Sequence, residues 1–485
     1  MSAADFAAAQ LPSFTLLGEP QLAFASGNAS AQHPHPLLGL QRYGAFDKAS
    51  FQTYVPKLRV ALVGPRMGRQ LVGQLLAGLK TQHHPVERNS YVKPFPGFEA
   101  LFGVGLQSAE KDVHITWPDA IGELGQGDSP TQRVRSAMHQ AMVRLSTVRS
   151  QFDVVAVHLP DTWMPYLRTK EFDAHDELKA LGAHFGVPTQ VINDRAIRFE
   201  LKNSLSWRLA IALYVKAGGT PWKLARIPGV PDDTAYIGLA YAIRRASAEA
   251  HFVTCCSQVF DIEGGGMQFV AFEANDPIAN EYEARRNPFL SRADMRAVLT
   301  RSLRLYQEGH TGRMPRRLVI HKTTAFKEDE LAGVRDATVV IPEVECLEVG
   351  ARSAWRGVWM VKGDEGAPTP VKPDNFPVPR GTLQMHSGNS ALLWVAGNAP
   401  TAAGGADYFQ GGKSIPKPVF IQRHAGSGPF DLLASEALAL TKMDWNNDAL
   451  YDPVPVTITY SQRLARTISN VPELPGNTYP YRLFM

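Results

Sequence analysis

Three short apolar runs constrain the first half of this chain more than anything else in it: Leu58-Arg59-Val60-Ala61-Leu62-Val63-Gly64, Phe152-Asp153-Val154-Val155-Ala156-Val157 and Val187-Pro188-Thr189-Gln190-Val191-Ile192. Each reads as a strand. Between and after them lie stretches with helical character, Arg69–Lys80 and Asn203–Ala217. Strands alternating with helices predict a parallel sheet covered by helices. The second helix stops at Gly218-Gly219, a pair suited to a helix C-terminus. The stretch Gly64–Gly68 is not GxGxxG, so it is not read as a dinucleotide site.

The second half changes pattern after the linker Ile227-Pro228-Gly229-Val230-Pro231-Asp232-Asp233. Ala235–Tyr241, His251–Phe260 and Met267–Glu273 read as consecutive strands, the last pair turning at Gly264-Gly265-Gly266. Helices near Ser291–Gly309 and Phe430–Leu440 flank a strand at Arg317–His321, and the proline-rich stretch 362–380 reads as an exposed loop. A strand meander followed by helices and further strands fits a ribonuclease-H-like domain. Residues 1–32, rich in Ala, Ser, Gln and Gly, read as a flexible lead-in, and His33-Pro34-His35-Pro36 as punctuation rather than metal chemistry.

With 485 residues there is room for two or three domains, each with its own core. The net charge of +4 excludes a globally basic nucleic-acid binder, so any phosphate contact must come from local runs such as Lys202–Arg208, Lys216–Arg226, Arg313–Lys322 and Arg463–Arg466. Each of these also fits a solvated helix face. Three cysteines, Cys255, Cys256 and Cys346, provide neither a disulfide framework nor a CxxC metal spacing. Cys255-Cys256 lies in an apolar run that reads as buried strand. This suits a reducing cytoplasm. The N-terminus lacks the pattern of a secretory signal. No stretch of about 18 consecutive apolar residues predicts a membrane span.

The sharpest constellation is His175, Lys179, Gln190 and Lys216. His175 and Lys179, four apart, share one helix face. Gln190 opens the next strand, and Lys216 sits in the last turn of the following helix. Two cations, an amide and nearby helix ends suit a terminal phosphate. By spacing alone His175 and Lys179 fit an ordinary surface as well.

The stretch Val187–Gln190 through Val215-Lys216-Ala217-Gly218-Gly219 resembles the MID domain of Argonaute proteins. In that family these four positions grip the 5′-phosphate of a guide strand, and His175 is the histidine variant of the first. Ala212 departs from the pattern, because many relatives carry a further lysine there; a divalent ion, Mg2+, can cover that loss. The family also places the C-terminal carboxylate near the pocket, which makes Met485 a possible Mg2+ ligand. The apolar ending Tyr481-Arg482-Leu483-Phe484-Met485 suits either a buried terminus or an ordinary core strand end.

Tyr236-Ile237-Gly238-Leu239-Ala240-Tyr241 resembles the first strand of the family's ribonuclease-H-like PIWI domain, with Ala240 in place of the first metal-binding aspartate. Arg317–Thr323 resembles the strand that carries the third carboxylate, and Thr323 stands there. Tyr460–Ala465 resembles the final helix, and Gln462 replaces its ligand. Two-metal hydrolysis needs several carboxylates around the ions. Three neutral residues imply no slicing, unless Asp232, Asp233, Asp261 or Glu263 forms a relocated metal site. The run Trp445-Asn446-Asn447-Asp448-Ala449-Leu450-Tyr451 resembles the family's closing motif, which makes Asn446 and Asn447, with Arg463 and Arg466, candidates for the guide or target backbone. Trp445 reads as core.

Leu37–Asp47 is similar to the opening motif of short prokaryotic Argonautes. The resemblance implies an α/β chain: a Rossmann-like MID domain over 33–226, then an inactive PIWI domain over 227–485. It implies a 5′-phosphorylated guide RNA, a complementary single-stranded DNA target from plasmid or phage, and a cytoplasmic defence role. It further implies a heterodimer with an APAZ-containing effector, foremost a sirtuin-like NADase causing NAD depletion and abortive infection, otherwise a TIR NADase or a nuclease. No redox cofactor is implied. Two other readings stay open, a guided nuclease with a non-standard metal site and a phosphate-ligand module without a guide.

Overall fold

The computed structural model describes residues 13–85, 93–198, 202–246, 249–259, 268–273, 289–350, 353–363, 370–409, 415–471 and 478–485. The described part of the expected lead-in is not loose. Strand β1 (Phe14–Leu16) pairs antiparallel with a strand near residue 384. β2 (Leu22–Ala23) and β3 (Gln32–His33) form a small sheet whose third member comes from residues 223–224. Charge fixes this segment. Buried Glu19 bonds the Arg380 guanidinium at 3.1 Å and the Lys442 ammonium, and Lys442 also donates to the carbonyls of Pro20 (2.8 Å) and Pro34 (2.6 Å). His35 caps helix α1 (Pro36–Tyr43), its Nδ1 accepting from Leu37 N at 3.2 Å, so the punctuation has a structural task.

The next lobe is a parallel sheet. β4 (Lys57–Pro65), β5 (Gly105–Ser108), β6 (Ile115–Trp117), β7 (Val154–Leu159) and β8 (Thr189–Asn193) run in the order β5-β4-β7-β8, with β6 also on β4. All six residues of β7 are buried, as expected of an inner parallel strand covered on both faces. Helices α2 (Arg66–Gly78), α3 (Pro130–Thr147), α4 (Ala174–Phe185) and α5 (Lys202–Lys216) accompany these strands. α5 ends where the glycine pair requires. Gly218 has φ +107°, and a Cβ on Gly219 would lie 2.3 Å from the Tyr214 ring.

After β9 (Lys223–Leu224) comes a mixed sheet of ten strands. Its members are β10 (Thr234–Ala246), β11 (Glu249–Val259), β12 (Gln268–Glu273), β13 (Arg317–Lys322), β14 (Glu343–Gly350), β17 (Thr382–Ser387), β18 (Ser390–Leu393), β19 (Val419–Ala425), β20 (Thr478–Pro480) and β1. The order is β1-β17-β18-β19-β14-β13-β10-β11-β12-β20, with β13 parallel to both β10 and β14. The expected meander is present as β10-β11-β12. Gly264–Gly266, Asp261 and Glu263 lie outside the described residues, as do the side chains of Cys255 and Cys256 in β11. The expected loop 362–380 is partly a ribbon, β15 (Met360–Lys362) against β16 (Val371–Pro373).

Helices α6 (Arg292–Gly309), α7 (Glu328–Ala337), α8 (Phe430–Leu440) and α9 (Val456–Asn470) cover this sheet. α9 packs on β10, β11 and β13 and also touches α4 of the first lobe. One continuous apolar core runs from Val60 and Trp207 through Tyr236 and Leu433 to Met485, so the two lobes are fused through packed side chains. No helix among the described residues is long and apolar enough to cross a membrane.

Candidate functional site: a cationic pocket between the lobes

The pocket starts from the cap of α4. Asp173 accepts from the backbone N of His175 (3.0 Å) and of Asp176 (3.2 Å), which sets the first turn. One turn on, Lys179 points the same way as His175. Gly182 lets the helix close down on the approach to β8, since a Cβ there would lie 2.6 Å from Val187 O. Gln190 then projects from β8 and Lys216 from the end of α5. Arg463, Arg466 and Thr467 enter from α9, Asn446 from the loop before it, and Phe484 and Met485 from the turn Tyr481–Leu483. Together they line a cavity of about 190 Å³.

The structure therefore brings together His175, Lys179, Gln190, Lys216, Asn446, Arg463, Arg466 and Met485, eight of the nine residues expected here. The ninth, Asn447, does not line it. Its amide donates to Asp452 (3.0 Å) and its carbonyl oxygen accepts from Ala449 N (3.1 Å), so it shapes the loop. Trp445 is core, packed edge-on against Tyr481.

Lys216 is 2% exposed and donates to Gln190 Oε1 at 2.6 Å, while Gln190 Nε2 donates to Val191 O at 3.0 Å. The amide oxygen is thus aimed at the ammonium. Burial lowers Lys216 to a pKa of about 7. Lys179 is 6% exposed and donates to the main-chain oxygens of Phe484 (2.6 Å) and Met485. Its pKa lies well below the lysine range, through burial first and then the charges of Lys216 and Arg463. Neither lysine has a side-chain carboxylate within salt-bridge reach among the described residues. His175 stands at the mouth, 47% exposed, with Nδ1 3.6 Å from Asp176; desolvation and the charges of Lys179 and Lys216 lower its pKa against the pull of Asp176.

The arginines, by contrast, are held by buried acids that the sequence did not single out. Asp176 accepts from Asn470 Nδ2 (2.6 Å), Thr467 Oγ1 (3.2 Å) and Arg466 Nη2 (3.4 Å). Burial alone would raise its pKa, but the hydrogen bonds from His175 and Asn470 and the charge of Arg466 outweigh that and keep it ionised. Asp444 clamps Arg463 at 2.6 and 3.1 Å and also accepts from the Tyr460 hydroxyl at 3.0 Å. Neighbouring Asp452 is pushed up to about 7 by burial and by the charge of Asp444. Such a pocket is a preformed anion site: two buried ammoniums in front, two guanidiniums braced from behind.

The expected Mg2+ ligand fits less well. Hard oxygens suit Mg2+, but the Met485 and Phe484 oxygens already face the Lys179 ammonium and Gln190 Oε1 faces Lys216. A divalent ion would have to displace one lysine beside three other cations, the second lysine, Arg463 and Arg466. Asp173, His175 and Asp176 also cluster, with ligand atoms within 4.8 Å of one another. Asp173 is spent on its cap and Asp176 on α9.

Beside the pocket, and sharing Gln190, Val191 and Asn446 with it, lies a hollow of about 460 Å³. Its walls are apolar at Leu75, Ile192, Leu205, Leu209 and Ala212, with Asn193 and Arg208 at the rim. The run Lys202–Arg208 thus contributes two side chains to this hollow, Leu205 and Arg208, and Arg208 also pairs with Asp448.

Ala240 lies within β10 and Thr323 just past the end of β13, and Gln462 is on α9, the helix that packs on these strands. In the parallel register Leu239 faces Lys322, so Ala240 and Thr323 are the next neighbours. Ala240 is packed into the core with Leu464 and Ala465, while Gln462 is exposed. The acids around this place are committed: Glu436 to Arg317 (2.5 and 2.7 Å) and Tyr236 (2.6 Å), Glu330 to Lys322 (2.7 Å). Arg317 and Lys322 are buried, so the run Arg313–Lys322 is no surface patch. Asp232 pairs with Arg226 at the surface, and Asp233 bonds Arg316 through its carbonyl.

No family model matches the chain. Over 461 residues it is 24% identical to a protein from Cereibacter sphaeroides (strain ATCC 17025 / ATH 2.4.3) named argonaute, covering 90% of this chain and 54% of that protein. Among solved structures it is similar to Clostridium butyricum Argonaute bound to a guide DNA and a 19-mer target DNA, with TM-score 0.67 and 15% identity over 98% of this chain and 55% of that one. Drosophila Piwi follows with TM-score 0.62 and 16% identity over 97% and 56%. The Aa-Ago protein with externally bound siRNA gives 0.57 and 15% over 98% and 56%. The chain spans about half the length of these relatives, and its fold is that of their MID and PIWI parts.

Proposed function

From the premise that this chain is an Argonaute homologue with the MID–PIWI fold, we propose that it holds a 5′-phosphorylated guide RNA by its end and reads a complementary single-stranded DNA without cutting it. The observation that carries this reading is the pair of buried ammoniums of Lys179 and Lys216, which converge on one small cavity and have no side-chain carboxylate within salt-bridge reach among the described residues. A phosphate dianion supplies the missing countercharge. The adjoining hollow accepts the first nucleoside, with the base against Leu205, Leu209 and Ala212. Base pairing then reads the target, while Arg466 and Asn446 hold backbone. The two lysines supply the positive charge, so magnesium is not required for guide binding.

Absence of slicing rests on Ala240, Thr323 and Gln462, which offer no carboxylate to a pair of metal ions. Output must then come from a second protein. The similarity of Leu37–Asp47 to the opening motif of short prokaryotic Argonautes favours an APAZ-containing partner that completes the nucleic-acid channel and carries the effector, with a sirtuin-like NADase as the first candidate and a defence role by NAD depletion. Guide loading with target shifts that partner by binding one of its states more tightly.

The test compares RNA guides with 5′-phosphate and 5′-hydroxyl ends, with and without EDTA. A clear preference for the phosphate that survives chelation is expected; equal binding overturns the pocket assignment. A discrete target cut in magnesium or manganese overturns the non-slicing reading. NAD consumption by the co-expressed neighbour only with guide and complementary DNA supports the effector assignment.

A further inference from the structure

Most exposed apolar side chains are scattered singly, but six lie along one margin of the ten-stranded sheet: Phe14, Leu16, Trp355, Val358, Met360 and Val371, each between 48% and 58% exposed. They are physically joined. The Phe14 ring packs edge-on against Trp359 at 5.4 Å, which sets the β15–β16 ribbon beside β1, and Trp355 lies against His386 of β17 at 5.8 Å. In the ribbon register Met360 faces Pro373 and Lys362 faces Val371, so these four share one face, and all four are exposed. Trp359 turns the opposite way, into a cluster with Val378, Leu392 and Trp394. A two-stranded ribbon is marginal by itself, and here one face is anchored while the other offers apolar surface. β1 has a strand partner on one side only among the described residues, so its other edge presents unpaired main-chain groups.

We propose that this margin is the docking surface for a second, different polypeptide, which adds an extended strand to the free edge of β1 and lays apolar side chains on the ribbon, with carboxylates opposite Arg356 and Lys362. The inference rests on the partner reading above and names its surface. A second copy of this chain fits badly, because an isologous contact lays the patch on its own copy, and the patch residues named here offer no carboxylate to meet exposed Arg356 and Lys362. A nucleic acid fits badly too. Leu16, Val358, Met360 and Val371 are aliphatic, and only Trp355 could stack on a base. Edge pairing supplies main-chain affinity, and the alternation of the ribbon supplies side-chain selectivity.

The full chain is co-expressed with the product of the neighbouring reading frame and assembly is followed by light scattering and titration. Two variants are compared with wild type, M360E/V371E and R356E/K362E. Both change exposed positions, and binding of 5′-phosphorylated guide checks that each is folded. Assembly at least about tenfold weaker in both, with guide binding unchanged, is the expected result. A wild-type heterodimer that persists in both variants overturns this surface while leaving the partner reading intact. A wild-type chain that forms no heterodimer overturns the partner reading and this surface together. A lone chain that dimerises through the same residues, or a single-stranded DNA whose binding alone is lost, replaces the proposed occupant.

Discussion

Helix α9 serves two places and equips them differently. Toward the first lobe it sends Arg463, Arg466 and Thr467, and the chain spends buried Asp444 and Asp176 on holding those guanidiniums still. Toward the sheet it buries Ser461, Leu464 and Ala465, the last two in the same apolar core as Ala240. Both places are buried at the same lobe junction. One keeps an excess of positive charge at considerable desolvation cost, and the other is packed with uncharged side chains. Burial disfavours the charged form of a lysine, and an anionic ligand would restore it, so the contrast makes the first place the better candidate for binding.

The largest effect should appear on the sheet side. Glu436→Ala strands the buried Arg317 guanidinium and removes the Tyr236 hydroxyl's partner. A loss of about 3–5 kcal/mol in urea denaturation is expected, with phosphate preference unchanged in whatever protein remains folded. A loss near zero would mean that these buried charges contribute little to the fold, and the contrast would fail.

Next comes Lys216→Ala. Affinity for a 5′-phosphorylated guide should fall by about 1.5–3 kcal/mol, the scale of a hydrogen bond to a charged group. With a 5′-hydroxyl guide the variant and wild type should bind alike in a filter or anisotropy titration. Equal losses for both guides would move Lys216 out of phosphate contact and into general support.

A smaller, graded effect concerns pH. Burial holds Lys216 at about 7 in the empty pocket against an ordinary 10.5. Between those values the unfolded chain binds the proton and the folded chain does not. From this group, therefore, stability of the unliganded protein rises with pH across that window. Guide binding has the opposite sign. It needs the ammonium, so affinity for the phosphorylated end should decline above about pH 7, by at most about tenfold per unit, and Lys216→Gln should flatten the profile. Parallel rises of stability and affinity with pH would sink the assignment.

The smallest effect is expected at Gln462→Ala. This exposed side chain should contribute within about 0.5 kcal/mol to stability and to guide affinity. A larger loss of target binding would show that this exposed face of α9 touches nucleic acid, which would sharpen the comparison considerably.

Local pattern made much of this visible. The β4 run is apolar almost throughout because both its faces are covered, and Phe430–Leu440 is helical over the expected residues. The resemblance to the Argonaute MID domain, rather than spacing alone, singled out His175, Lys179, Gln190 and Lys216, which line one cavity. What stayed hidden depended on distant partners. Arg317 and Lys322 look like part of a basic run until Glu436, 119 residues away, is placed against the first. Asp176 gives no sign in a polar first turn that Thr467 and Asn470, 291 and 294 residues on, converge on it. The order of residues 13–32 had the same cause, since Glu19 is fixed by Arg380 and Lys442. An unremarkable composition cannot advertise a contact made across the whole chain.

The two outermost strands of the large sheet, β1 and β20, are drawn from residues 14–16 and 478–480. A chain leaves the ribosome N-terminus first. All strands of the parallel sheet, within 57–193, emerge early enough to assemble while translation continues. The large sheet must wait with one margin laid down and the other still inside the exit tunnel. Phe484 and Met485, which face Lys179, are made after every described strand of both sheets. A message cut short would thus yield a protein with a finished first lobe and a pocket lacking its floor, so that competence to hold a guide doubles as a readout of complete synthesis.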